Sequence, residues 1–187
     1  TVGAIEHRLD DLKKLGVTTL LFMPLYEFEE FLVLDDDKER KNPKTQINYW
    51  GYTTGNYFAP KASFLKNNDP DELKRLISKM HQKNMEIVME FYFPQKINPY
   101  FMMEILHYWR REFHVDGFRI VGNSLGAQLL AQDYCLDGCK LFSDSFPKEL
   151  VQDEERFGPE LYTYDDRFLY EVRKIINHQR GNTFEFA

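Results

Sequence analysis

Three residues with charged side chains fall at the ends of predicted strands: Glu90, Arg119 and Asp144. In parallel α/β barrels the carboxyl ends of strands are where sites assemble. Glu90 and Asp144 carry carboxyl groups, which can move protons or attack an electrophilic carbon. Arg119 sits in the segment His114-Val-Asp-Gly-Phe-Arg-Ile-Val121. Residues two apart share a face of a regular strand, so Arg119 and Val121 project to the same side. Val121 has no lone pair to attack with and no proton to give. Asp116 lies an odd number of positions from Val121 and projects to the opposite face. The strand therefore presents a cation without a nucleophile beside it.

The two cysteines, Cys135 and Cys139, flank Asp137-Gly138, a turn signal. No further Cys or His group has metal-ligand spacing, so they read as reduced thiols of a cytosolic protein, with no metal and no cofactor. Aromatic residues make up 16% of the chain, including 11 Tyr and 16 Phe. Such rings serve core packing first and sugar stacking second. The net charge of −6 argues against a nucleic-acid partner. No apolar run is long enough to span a membrane. The chain opens at Thr1 with no basic, apolar leader, so no targeting signal is visible and a cytoplasmic location is expected; a start without Met also suggests a piece of a longer chain.

The 187 residues suffice for one domain with a sizeable core. Ile5, Leu9, Leu12 and Leu15 form a helical stripe that Gly16 ends. Val17 to Met23 is β-branched and apolar throughout, as in a strand buried on both faces. The stretch from Glu27 to Asn48, with its acidic run Asp35 to Lys41, reads as a polar loop. Asp69-Pro70 opens a helix to Lys83 with Leu73, Leu76, Ile77 and Met80 inward. Met85 to Phe93 is the next strand. Pro99 starts a helix to Phe113 with Met102, Ile105, Leu106 and Trp109 as its stripe. The strand Val115–Val121, a short helix near Ser124–Tyr134, the strand Lys140–Ser143, an irregular stretch Asp144–Tyr164 and a helix from Asp166 to His178 complete the pattern. Regular alternation of strands and helices implies a parallel sheet. Alternation alone does not separate an open sheet from half of a (β/α)8 barrel.

Four segments, in order, resemble one family. They are Leu15-Gly-Val-Thr18 with Met23-Pro-Leu-Tyr-Glu-Phe-Glu29; Asn48-Tyr-Trp-Gly-Tyr-Thr-Thr-Gly-Asn-Tyr-Phe-Ala-Pro60; Tyr108-Trp-Arg-Arg-Glu-Phe-His-Val-Asp-Gly-Phe-Arg119; and Tyr164-Asp-Asp-Arg-Phe168 through Arg173. They resemble the debranching branch of the α-amylase superfamily, glycoside hydrolase family 13, which includes isoamylase, type I pullulanase and glycogen debranching enzymes. The resemblance implies that residues 1–187 are part of a (β/α)8 barrel, about strands two to five, within a longer chain. It also implies a role in α-glucan metabolism.

In that family a nucleophilic carboxylate and an acid flank the glycosidic bond, about 5–5.5 Å apart, and act through a covalent intermediate. The resemblance places Val121 at the nucleophile position and Arg119 where the nucleophile's partner stands. Asp144 falls at the general-acid position, normally Glu; one methylene less retracts the proton donor by about 1.5 Å, a displacement that can cost on the order of 100-fold. Asp-Val-Val-Tyr-Asn-His becomes Glu90-Phe-Tyr-Phe-Pro-Gln95, so Gln95 replaces the sugar-contacting His and Pro94 replaces Asn. The third carboxylate belongs to a later strand. Tyr52 occupies the sugar-stacking position, and Trp50 reads as structural.

The expected function is a non-hydrolytic barrel segment that binds α-glucan or maltooligosaccharide through Tyr52, Gln95 and Arg119, or acts as a scaffold. Two other readings stay open: an active α-1,6/α-1,4-glucan hydrolase in which Glu90 and Asp144 serve, and a protein-interaction module. Arg119 has a plainer reading too, as a structural ion pair with another acid. Half a barrel leaves sheet edges open, so the rest of the barrel or a partner chain is expected to complete it.

Overall fold

A computed structural model describes residues 1–34, 44–122, 127–144, 146–153, 157–164 and 166–177. The described helices are α1 (Val2–Glu6), α2 (Leu9–Lys14), α3 (Asp71–Gln82), α4 (Pro99–Phe113), α5 (Ala127–Ala131), α6 (Lys148–Val151) and α7 (Asp166–Ile176). The strands are β1 (Thr19–Phe22), β2 (Tyr26–Phe28), β3 (Phe31–Leu34), β4 (Lys44–Ile47), β5 (Gly55–Pro60), β6 (Glu86–Phe93), β7 (Gly117–Gly122), β8 (Lys140–Phe142) and β9 (Glu160–Tyr162). Five of them form one parallel sheet in the order β1-β6-β7-β8-β9. Strands neighbouring in sequence order along a parallel sheet, joined through helices, give a sector of a (β/α)8 barrel.

The alternation of β6 divides the two faces. Ile87, Met89, Phe91 and Phe93 are fully buried and meet Leu73, Leu76, Ile77 and Met80 of α3 and Met102, Ile105, Leu106 and Trp109 of α4 in one core. Both helical stripes thus fall where their spacing places them. Glu86, Val88, Glu90 and Tyr92 take the other face, the interior of the barrel. Helix starts follow local chemistry: Asp69 accepts the Asp71 N–H at 3.0 Å, and Asn98 accepts that of Tyr100 at 2.9 Å ahead of α4.

Five expectations change. The run Val17–Met23, read as buried on both faces, leaves Leu21 52% and Met23 41% exposed, because the interior face of β1 meets no further strands or helices among the described residues. The first helix is interrupted at His7–Arg8, and Leu15, the last residue of the expected stripe, is 80% exposed at the cap before Gly16. The expected polar loop from Glu27 to Asn48 contains strands: β2 pairs with β5, and β3 pairs with β4. Phe31–Leu34 forms β3 although charges follow it in sequence; the acidic run Asp35 to Lys41 lies outside the described residues. Glu160–Tyr162 is a fifth sheet strand inside the stretch read as irregular. If β1 is barrel strand two, the sector therefore reaches strand six. Around the predicted helix at Ser124–Tyr134, the described residues show α5 and a separate 3-10 turn at Tyr134–Leu136; residues 123–126 lie outside them.

Candidate functional site

Parallel register sets the site. Glu90 of β6 lies opposite Arg119 of β7, Arg119 opposite Phe142 of β8, and Phe142 opposite Tyr162 of β9. These side chains make one row across the interior face. Glu90 is 3% exposed, and its Oε2 accepts from Arg119 Nη1 in an ion pair. Its Oε1 is buried with no hydrogen-bond partner among the described residues. Burial disfavours the Arg119 charge, but Glu90 outweighs it and holds the guanidinium above its ordinary pKa. The plainer reading of Arg119, an ion pair with another acid, is thus what the structure contains.

Aromatic rings frame this pair. The Arg119 guanidinium lies 4.9 Å from the Tyr164 ring centre, within cation–π range. Phe142 stacks on Tyr162 at 4.8 Å. Tyr52 stacks on Tyr92 at 5.9 Å, and Trp50 leans on Tyr52 at 6.1 Å. Burial, then the nearby Glu90 carboxylate, pushes the Tyr52 phenol above its ordinary pKa. Burial does the same to Tyr164, with Asp144 and Glu90 adding to the rise and Arg119 opposing it.

The loop carrying Tyr52 is held from below. Tyr26 Oη donates to the carbonyls of Gly51 (3.1 Å) and Thr53 (3.3 Å), and Asn48 Oδ1 accepts the Gly51 N–H. Gly51 has φ +71°, and a Cβ there would lie 2.8 Å from Phe28 Cε1, so only glycine fits. Trp109 Nε1 donates to Tyr57 O at 2.7 Å, and Tyr57 Oη donates to Tyr92 O, tying this segment to α4 and β6. Trp50 itself is 61% exposed, so the structural role expected for it is not core packing.

The remaining candidates are spread around this group of side chains. Val121 lies opposite Tyr92 and is partly exposed. Asp144 is exposed just past β8, close enough to Tyr164 to act on its pKa. Gln95 Nε2 donates to the Gly122 carbonyl, fastening the tops of β6 and β7 together. Asp116 is turned away, as alternation requires: its Oδ2 accepts the Ile87 N–H and contacts His81 Nε2, both at 2.8 Å. Tyr92, Phe142, Tyr162 and Tyr164 line the site without having been singled out from sequence. The two-residue spacing of Tyr162 and Tyr164 was the available signal.

No family model matches the chain. Isoamylase SU1 from Zea mays, a chloroplastic protein, is 25% identical over 169 residues, covering 63% of this chain and 20% of its own length. A glycogen debranching enzyme from Dickeya chrysanthemi is 32% identical over 96 residues, covering 50% of this chain and 14% of its own. The chain is a relative of the debranching enzymes of the α-amylase superfamily. It spans about a fifth or less of the length of these curated relatives. A pullulanase from Paenibacillus barengoltzii, solved with maltohexaose and α-cyclodextrin, matches the fold of this chain at a TM-score of 0.58. The match has 19% identity and covers 94% of this chain and 34% of that one. The chloroplastic relative gives no support to the cytoplasmic expectation. Among the described residues no helix is long and apolar enough to cross a membrane.

Proposed function

We propose that this chain is part of a debranching-type barrel that binds α-glucan and does not hydrolyse it. The observation that carries this reading is the pairing of Arg119 with Glu90 beside Val121. Where the family places a free carboxylate next to this arginine, the chain has an aliphatic side chain. Its other nearby acid, Glu90, is buried and already paired with Arg119. An active reading would need Glu90 as one of two carboxylates open to the sugar, and its 3% exposure argues against that.

Binding rests on the rings. Trp50, Tyr52 and Tyr92 form a run of three rings with Tyr52 beside Glu90 and Arg119, and apolar pyranose faces suit such surfaces. Relatives acting on or solved with α-glucans support the same ligand class. Interior residues such as Leu21, 52% exposed, favour completion of the barrel by further βα units, from the same polypeptide or a partner chain.

Titration of the full-length protein with maltoheptaose tests the platform. Tyr52→Ala should weaken binding by about tenfold, the effect of losing roughly 1.4 kcal/mol of stacking. Unchanged affinity would remove Tyr52 from the site.

A further inference from the structure

On the helical side of the sheet, opposite to the Arg119 face, three donor side chains from two separate elements converge. His107 belongs to α4, and Asp133 and Cys135 to the turn between α5 and β8. Their candidate ligand atoms all lie within 4.8 Å of one another. His107 Nε2 is 2.5 Å from Asp133 Oδ2. Asp133 Oδ1 accepts the Cys135 N–H at 2.9 Å, which fixes the cysteine beside the pair. The His107 and Asp133 side chains are 14% and 4% exposed, while Cys135 opens to solvent. Buried Leu130, Ala131, Leu136 and Cys139 pin the turn in place.

We propose that His107, Asp133 and Cys135 form a binding site for a divalent, zinc-type ion that clamps α4 to the connection leading into β8. Imidazole, carboxylate and thiolate together suit a borderline-soft divalent metal better than the hard calcium or magnesium ions, which favour all-oxygen sets. Three protein donors leave a fourth tetrahedral position, and the exposed side of Cys135 gives that position to water. On binding, the Cys135 thiol loses its proton to solvent. The hydrogen bond between His107 Nε2 and Asp133 Oδ2 must also open: its proton passes to solvent, and the two atoms, 2.5 Å apart, separate so that each reaches the metal at about 2 Å. Binding therefore weakens as pH falls. Cys139 stays out of the set: it is buried, and burial pushes its thiol up to about 11. In sequence the histidine stands far from the Asp-Tyr-Cys turn, so spacing gave no hint of the group.

The test uses the full-length protein after chelator treatment, titrated with Co2+ and followed by the thiolate-to-metal absorption band, with Zn2+ as competitor. The band should appear, Zn2+ should abolish it, and Cys135→Ser should remove it and weaken Co2+ binding at least about tenfold. Cys135 is exposed, so this variant leaves the core intact. In the unmutated protein Zn2+ should also slow modification of Cys135 by a thiol reagent, and His107→Gln should remove that protection. A Co2+ band or affinity unaltered by Cys135→Ser, or protection unaltered by His107→Gln, would overturn the site.

Discussion

Arg119 keeps its charge in a largely enclosed setting because Glu90 lies directly across the sheet. The two cannot be treated alike. Removing the arginine strands a buried carboxylate, one of whose oxygens already lacks a partner among the described residues. Removing the carboxylate leaves an arginine that is 27% exposed and can turn toward water. Arg119→Ala should therefore lower stability by about 3 kcal/mol, the low end of the range for breaking a buried pair. Glu90→Gln should cost less. Urea unfolding of both variants decides this, and equal or inverted costs would show that Glu90 is not buried on Arg119. Strand alternation in the sequence correctly turned Asp116 away from Val121, because that reasoning needs only one strand. It could not find Glu90 as the partner, because the residue opposite depends on the register of two strands, which the pattern of one does not contain.

At the scale of elements, the interior face is also tied at its lower end. Lys140 of β8 reaches Glu86 of β6 at 2.6 and 2.8 Å, and Thr19 Oγ1 of β1 donates to the same carboxylate. Gly117 of β7 stands between them; it has no side chain to block the span, and a Cβ there would lie 3.0 Å from Lys140 Cβ. The hydrogen bond from Lys140, then that from Thr19, holds the Glu86 carboxyl below its ordinary 4.5. A lowered folded-state pKa contributes stability above the unfolded value and loses it as pH falls through the folded one. Lys140 is held above its ordinary 10.5 by the same bond, so its share is present below that value and lost as pH rises through the raised one. Both side chains are partly exposed, which keeps the coupling under about 1 kcal/mol. Glu86→Gln should flatten the fall in unfolding free energy below about pH 4.5. An unchanged pH slope in urea titrations would mean that the link across the three strands carries no energy. The long strands and helices of this sheet were legible because apolar periodicity repeats over several turns. The three-residue β9 and the β3–β4 hairpin were not, since one alternation or a neighbouring charge run hides so short a signal.

At the scale of the molecule, the sheet ends, among the described residues, in two edge strands, β1 and β9. Leu21 and Tyr162, pointing into the barrel, are 52% and 37% exposed, and Phe168, Leu169, Tyr170 and Ile176 of α7 are also exposed. Open edges and apolar faces favour association. Residues 1–187 produced alone should sediment as concentration-dependent oligomers; a cooperatively folded monomer would show that the sector needs no completion. The overall class could be anticipated from motifs in order along the chain. The convergence of His107 with Cys135 could not, since only the fold brings them together. The most direct measurement is release of reducing ends from pullulan by the full-length protein, at concentrations where maltoheptaose binds. No release above the buffer rate is predicted, for the natural chain and for Val121→Asp alike, since the acid and the Gln95 segment are altered as well. Turnover by the natural chain that Asp144→Asn abolishes would contradict the non-hydrolytic reading.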